Sequence, residues 1–305
     1  MPSDLKPRGV GVIGTGLDCQ FALERLSLRT DFRVVVRSAD SLAVNEPSVT
    51  VVYFAGTPTA DLVFGAVQAG KHVVLETASG ISEADLHGIA EMAITQQTLA
   101  VIDEPRRWDD DFACAKAVFD SGVLGTMQRI RLAVHERGLP GETFPQGVLQ
   151  HLGPLWLDQL LVFADSEVTS FELQRFYASE QASDIGFLVT FKFDDGISAV
   201  VELQTQSLLS LRTGWLLEGS TGAYRAGRQY TKTADGEIID EPVTRPPVHS
   251  DPFFEALSAA LNGDPASLAS LPNLFHAARV ARLMDRLKQG HVSGTAIAAG
   301  SSETN

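Results

Sequence analysis

The apolar residues of the chain follow two regimes. Over residues 9–102, short and nearly continuous apolar runs alternate with segments of helical spacing. The runs at 9–13, 32–36, 49–54, 72–75 and 99–102 predict strands buried on both faces, and 17–28, 61–69 and 82–96 predict the helices between them. Gly70 stops the second of these helices, while Ser82-Glu83-Ala84-Asp85 opens the third with a cap residue and early acids, where the helix dipole favours negative charge. Apolar strands alternating with helices belong to a parallel sheet covered on both sides. After a helix at 110–121 the period changes to two. Segments 128–135, 168–177, 186–193, 197–203 and 213–218 read as strands, with Asp194-Asp195-Gly196 and Ser220-Thr221-Gly222 as hairpin turns. Helices at 253–261 and 274–288 close the pattern. The expectation is an α/β chain with an N-terminal parallel-sheet domain over 1–108, an α+β domain on a large, mostly antiparallel sheet over 109–290, and a flexible tail over 291–305.

Composition narrows the partners. A length of 305 residues exceeds what one hydrophobic core usually supports, and 44% hydrophobic with 20% charged residues is the balance of a folded chain. The net charge of −14, with no cluster of Lys or Arg, repels a phosphate backbone or an anionic membrane at long range, so nucleic acid and membrane are not expected partners. Cys19 and Cys114 lack CxxC or ligand spacing and suit small buried hydrophobes in a reducing compartment. A glycine turn is reached by Gly14, which leaves no room for a secretory signal, and the apolar stretch 155–163 already contains Asp158 and Gln159; a cytoplasmic protein is expected. The histidines at 72, 87, 135, 249, 276 and 291 form no HxH or HxxxH group, so no metal site is expected.

Chemistry enters at Gly14-Thr15-Gly16. A glycine turn between a buried strand and a helix lets bare main-chain N–H groups and the helix N-terminus face a diphosphate, as in Rossmann-type dinucleotide-binding domains. The third small position of that turn is Cys19 rather than Gly or Ala. At the end of the second strand stand Arg37 and Ser38, a pair that favours the 2′-phosphate of NADP over the ribose hydroxyl of NAD; the alternative is that Arg37 simply ends a strand in solvent.

Further pieces occur in order: Gly11-Val12-Ile13-Gly14-Thr15-Gly16, Thr57-Pro58, Ala69-Gly70-Lys71-His72-Val73, Arg107-Trp108-Asp109, Ser121-Gly122-Val123-Leu124-Gly125, and Gly153-Pro154 through Asp158. Together they resemble the Gfo/Idh/MocA family of NAD(P)-dependent oxidoreductases, acting mostly on sugars and polyols, across roughly residues 9–288. The resemblance implies that Gly14, Thr15, Gly16 and Leu17 line the pyrophosphate, Thr57 and Pro58 the nucleotide cleft, and Glu76 the nicotinamide side, with Arg107 and Trp108 at the domain junction. Trp108 serves equally well as a packing aromatic.

The chain departs from the family pattern in three places. The family's Glu-Lys-Pro is Glu76-Thr77-Ala78 here, and Thr77 offers a hydrogen bond but no cation to a developing alkoxide. The family's Asp and His, four residues apart on one helix face, are replaced by His151 and Leu155, while Asp158 stands in its place. His151 has an imidazole suited to proton exchange and is either a relocated acid/base or a half-buried helix histidine. The connection from 38 to 48 is short and contains Pro, without the helix and extra strand the family carries there. Two function classes follow: an NAD(P)-dependent oxidoreductase with His151, Asp158 and Thr77 as its rearranged catalytic set, or a catalytically silent relative that binds a small molecule or a protein. A homodimer or higher homo-oligomer through the C-terminal sheet is expected, because Val, Leu and Phe on one sheet face would want cover.

Overall fold

The computed structural model describes residues 6–135, 144–179, 182–207, 212–245, 251–290 and 295–296. It divides into two compact units, Met1–Pro105 with Val248–Leu283 and Arg106–Pro247 with Met284–Asn305.

The first unit runs β1 (Arg8–Ile13), α1 (Gly16–Ser27), β2 (Phe32–Ser38), α2 (Leu42–Asn45), β3 (Val51–Phe54), α3 (Ala60–Gln68), β4 (His72–Leu75), α4 (Glu83–Thr95) and β5 (Ala100–Ile102). All five strands pair in parallel, in the order β2-β1-β3-β4-β5. That order places a switch point between β1 and β3, outside whose carboxyl ends open α/β sheets bind ligands. The connection after β2 must therefore cross back over β1. It holds one helical turn, α2, which the sequence reading missed; Ala43 and Val44 of that turn are buried. A four-residue helix is too short to display its own period. Room for it comes from β1, where a Cβ on Gly9 would stand 1.9 Å from the Ser48 carbonyl oxygen and one on Gly11 2.6 Å from the Ala43 Cβ. Lys71 Nζ then clamps the crossover, donating to the carbonyls of Glu46 at 3.0 Å and Val49 at 2.7 Å.

The second unit begins in a 3-10 turn (Pro105–Trp108) and continues through α5 (Asp110–Asp120), β6 (Met127–His135), α6 (Val148–Phe163), β7 (Val168–Tyr177), β8 (Asp184–Phe193), β9 (Ser198–Gln204), β10 (Arg212–Gly219), β11 (Gly222–Arg225), β12 (Arg228–Lys232) and β13 (Ile238–Pro242). With β14 (Thr295–Ala296) these strands form one sheet of order β13-β12-β11-β10-β6-β9-β8-β7-β14, antiparallel except for the β6–β9 and β7–β14 pairs. The apolar residues thought to leave a face wanting cover are the inward set: Leu173, Phe187, Val189, Phe191, Val201, Leu203, Trp215 and Leu217 are all buried. Their alternates carry mixed charge. Arg129 pairs with Glu218, His135 Nε2 lies 2.8 Å from Glu202, and apolar residues such as half-buried Phe176, Leu188, Val200 and Leu216 interrupt the polar face.

Three helices follow, α7 (Pro252–Leu261), α8 (Pro265–Ser270) and α9 (Leu274–Gln289). The sequence reading expected only the first and last of these and put them in the second domain, whereas α7, α8 and α9 as far as Leu283 belong to the first unit. Phe254 packs against Phe32 and Tyr53 with ring centroids 5.7 and 6.1 Å apart. The Ile102 N–H donates to the Pro272 carbonyl at 2.9 Å, and Leu274, Ala277 and Ala278 join the core that contains Val52 and Leu75. Apart from Thr295 and Ala296, the tail expected over 291–305 lies outside the described residues, as do His249 and His291. Among the described residues no helix is long and apolar enough to cross a membrane.

Candidate functional site

In the first unit the sequence-predicted nucleotide residues gather along the carboxyl ends of β1 to β4. Gly14 has φ 151° and a Cβ there would come within 2.3 Å of the Ala55 carbonyl oxygen, so β1 ends flush against the loop after β3. Its N–H donates to the Ser38 carbonyl at 3.0 Å, which fixes the end of β2 beside it. Gly16, the first residue of α1, is the opposite case: φ is 76° and a Cβ would meet nothing within 4 Å. Thr15 occupies the cap position without a side-chain capping bond. The first turn of α1 therefore presents uncapped N–H groups to open space, the arrangement that accepts a phosphate. Leu17 is 81% exposed on the same turn.

The next loops close the edge. The Gly56 N–H donates to Glu76 Oε2 at 2.5 Å, and a Cβ on Gly80 would lie 3.1 Å from Thr57 Cγ2. Thus Gly56-Thr57-Pro58 and the stretch from Glu76 to Gly80 run side by side. Burial pushes the Glu76 carboxyl above the usual range, Asp18 and Asp103 add to that rise, and the Gly56 N–H opposes it. Thr77 Oγ1 accepts from the Ser79 N–H at 3.1 Å. At the end of β2, Arg37 is exposed and has no ion-pair partner among the described residues. Ser38 Oγ donates to Asp40 Oδ1 at 2.5 Å, and the Leu42 N–H donates to the same carboxylate, which together hold the Asp40 carboxyl below the usual range. Sequence reasoning passed over Asp18 and Asp40. An acid just beyond the second strand was the available signal for Asp40, whereas Asp18 looked like an ordinary first-turn acid.

The remaining predicted residues belong to the second unit. Arg107 holds Asp158 through two hydrogen bonds, Nε to Oδ2 and Nη2 to Oδ1, the latter at 3.0 Å. Both side chains are nine-tenths buried, so this is a closed charge pair linking the 3-10 turn to α6. His151 is exposed one turn before half-buried Leu155, and its ring lies 5.0 Å from that of Phe144. Gly147, the cap of α6, is held against Asp184, whose Oδ1 accepts from the Leu149 N–H at 3.2 Å. Trp108 lines a cavity of about 570 Å³ with Arg106, Asp109, Asp111, Trp156 and Trp215, a feature that no local motif announced. Among the described residues no group of three or more His, Cys, Asp or Glu is placed to hold a metal ion.

No protein-family model matches the chain. An uncharacterized oxidoreductase of Schizosaccharomyces pombe, C115.03, is 32% identical over 107 residues, covering 32% of this chain and 29% of that protein. The match thus spans under a third of that relative's length. The uncharacterized oxidoreductase YdgJ of Escherichia coli is 24% identical over 287 residues, covering 75% of this chain and 81% of that one. Among solved structures, an NAD-binding protein from Listeria innocua superposes with a TM-score of 0.72 at 21% identity, covering 93% of this chain and 94% of the other. Biliverdin reductase from Synechocystis, solved with biliverdin and NADP+, superposes at 0.68 and 18% identity, covering 92% of this chain and 98% of that one. These likenesses establish the fold: a Rossmann-like parallel-sheet unit followed by a large, mostly antiparallel sheet.

Proposed function

We propose that the chain is an NAD(P)-dependent oxidoreductase of the Gfo/Idh/MocA type, moving a hydride to or from a carbon that bears a hydroxyl on a sugar, sugar derivative or polyol. The observation that carries the reading is the contrast at the first turn: Gly14 is closed by Ala55, whereas Gly16 opens on free space at an uncapped helix start. A diphosphate fits there because main-chain N–H groups and the helix dipole supply its binding without a side chain in the way. When bound, NAD(P) supplies the site from which hydride is given or taken. Names of similar proteins add support, since YdgJ and C115.03 carry the word oxidoreductase and two solved neighbours bind NAD or NADP+.

By the family resemblance Thr15, Gly16 and Leu17 would hold the diphosphate, Thr57 and Pro58 would border the nucleotide, and Glu76, whose Oε2 accepts from the Gly56 N–H, would face the nicotinamide side. Arg37, with no carboxylate partner among the described residues, favours NADP, and Arg37→Ala should weaken NADPH by about tenfold while leaving NADH unchanged. His151, exposed on α6, is the proton-exchanging group; Thr77 offers a hydroxyl; Asp158, bound by Arg107, acts by holding the 3-10 turn in place. A second copy pairs through the mixed-charge face of the large sheet, around Leu188, Val200 and Leu216.

The catalytically silent reading is favoured by two observations: Leu155 brings no titratable group to the position of the family's His, and Asp158 is already paired with Arg107. Fluorescence titration with NADPH and NADH, followed by turnover of polyols in wild type and His151→Ala, separates the two. Saturable coenzyme binding with turnover that His151→Ala abolishes supports the enzyme. Binding without turnover supports the silent relative, and no binding of either coenzyme removes the oxidoreductase reading.

A further inference from the structure

Arg175 lies on β7 opposite Phe187 of β8, on the face of the large sheet against which α6 packs. A charge there interrupts an apolar row, since Leu173 and Phe187 beside it are buried. The side chain is 23% exposed, so its stem is packed while the end of the fork can be reached. Its Nε is sealed from solvent without a hydrogen-bond partner, and its ion-pair partner, Asp184, stands 3.8 Å away, beyond hydrogen-bond reach. Among the described residues the guanidinium donates no hydrogen bond. The Arg107–Asp158 pair of the same unit shows what a finished pair looks like: two hydrogen bonds, with both side chains nine-tenths buried. Arg175 has the charge of such a pair without its closure.

Asp184 is spent elsewhere. Its Oδ1 accepts from the Leu149 N–H at 3.2 Å, its carboxylate also takes a hydrogen bond from the Val148 N–H, and Gly147 is pressed against it. The first amides of α6 therefore occupy the carboxylate, and the positive end of that helix offsets part of its charge. The guanidinium is left with unmade hydrogen bonds and an incompletely balanced charge in a half-buried place, where both are costly until a ligand completes them. A planar fork of parallel N–H groups matches a carboxylate, which takes two of them at once. One negative charge suits the balance, whereas a dianionic phosphate would bring a second one beside Asp184.

We infer that Arg175 anchors the carboxylate of a hydroxy acid, so that the molecule bound at the start of α6 is a sugar acid rather than a neutral sugar or polyol. His151 stands exposed in the first turn of that helix, and an acid anchored at Arg175 presents its neighbouring hydroxyl-bearing carbons to that turn. The role as substrate rests on the oxidoreductase reading, whereas the binding itself needs only residues of the second unit.

Calorimetry with two pairs of probes, D-glucuronate against D-glucose and D-gluconate against sorbitol, compares each acid with its neutral counterpart. At least one acid should bind saturably and about tenfold or more tightly than its neutral partner. Arg175→Met should erase that preference while leaving the affinity for the neutral compound in place. Arg175→Lys, which keeps the charge and loses the fork, should retain only part of it. The preference is a ratio within one sample, so a purely structural role of Arg175 would not move it. Should Arg175→Met fail to fold, Arg175→Lys decides. Equal affinities in the wild type, no saturable binding of either acid, a preference that survives the loss of Arg175, or tighter binding of glucose 6-phosphate than of glucuronate overturns the proposal. NADPH titration of the same samples separates the two readings. Acid preference without coenzyme binding upholds the anchor and removes the redox role, and coenzyme binding without acid preference removes the anchor alone.

Discussion

Replacing Arg25 tests why α7 belongs to the first unit. The Arg25 guanidinium, on α1, reaches Asp103 at the end of β5 at 2.5 Å and Asp251, the cap of α7, at 2.7 Å, and it packs over Phe254 at 4.9 Å. Asp103 is 2% exposed, and without Arg25 it keeps only the Tyr53 hydroxyl, which donates to it at 2.9 Å. Arg25→Met preserves much of the stem packing and removes the charge. Leaving a buried carboxylate without its counter-charge costs about 3–5 kcal/mol, which for a chain of this size lowers Tm by about 6–20 °C. Asp251 is less buried than Asp103 and adds less to the loss.

The charge itself, rather than lost packing, is isolated by the double variant Arg25→Met/Asp103→Asn, which leaves no buried charge at that point and should recover more than half of the lost Tm. The pH dependence gives an independent check. Burial pushes the Asp103 carboxyl above its ordinary value of 3.8, and Arg25 opposes the push. Without Arg25 the native value rises further above the unfolded one. An acid raised in the folded state binds its proton more tightly there, so stability falls as pH rises from the unfolded value through the native one. The Arg25→Met deficit should therefore shrink in acid and widen toward neutrality. Thermal melts by circular dichroism read all three samples. A deficit that Asp103→Asn does not relieve, or one equal at every pH, would refute the electrostatic account and leave packing as the cause.

Other expectations follow from single positions. Gly16→Val places a side chain in the space reserved for the diphosphate and should abolish NADPH binding at a stability cost of about 1–3 kcal/mol from its φ of 76°. Gly14→Ala instead forces a Cβ onto the Ala55 carbonyl and should lower Tm first, whatever the coenzyme does. For Glu76, raised by burial above its ordinary 4.5, stability should fall as pH climbs from that value through the native one, and Glu76→Gln should flatten this part of the curve in urea midpoints measured across pH. Leu188→Arg on the open face of the large sheet should convert a dimer to monomer by light scattering, and a wild type that is already monomeric at micromolar concentration removes the dimer proposal.

The parts of the molecule legible from sequence are those whose cause is local. Apolar runs of four to six residues marked β1, β3, β4 and β5, because a strand buried on both faces leaves no polar alternate to hide it, while the run of β2, at the sheet edge, is broken by exposed Arg33. The glycine turn was legible for the same reason: Gly14 and Gly16 answer to backbone angles and to a neighbour one strand away. What escaped depends on which distant segments meet. The amphipathic pattern of α7 states that one face is buried but not that Phe254 will find Phe32 and Tyr53, more than two hundred residues earlier. Gly9 and Gly11 looked like part of a strand, and only the crossover above them, Ser48 over Gly9 and Ala43 of α2 over Gly11, explains why side chains are excluded there. The candidate sites divide along the same line. Glu76 had a motif to announce it, but the bond that orients it comes from Gly56 on another loop. Trp108, Trp156 and Trp215 lie on a 3-10 turn, a helix and a strand, and each alone is most simply a packing aromatic. Their convergence on one cavity is a property of the tertiary fold that no single motif announces.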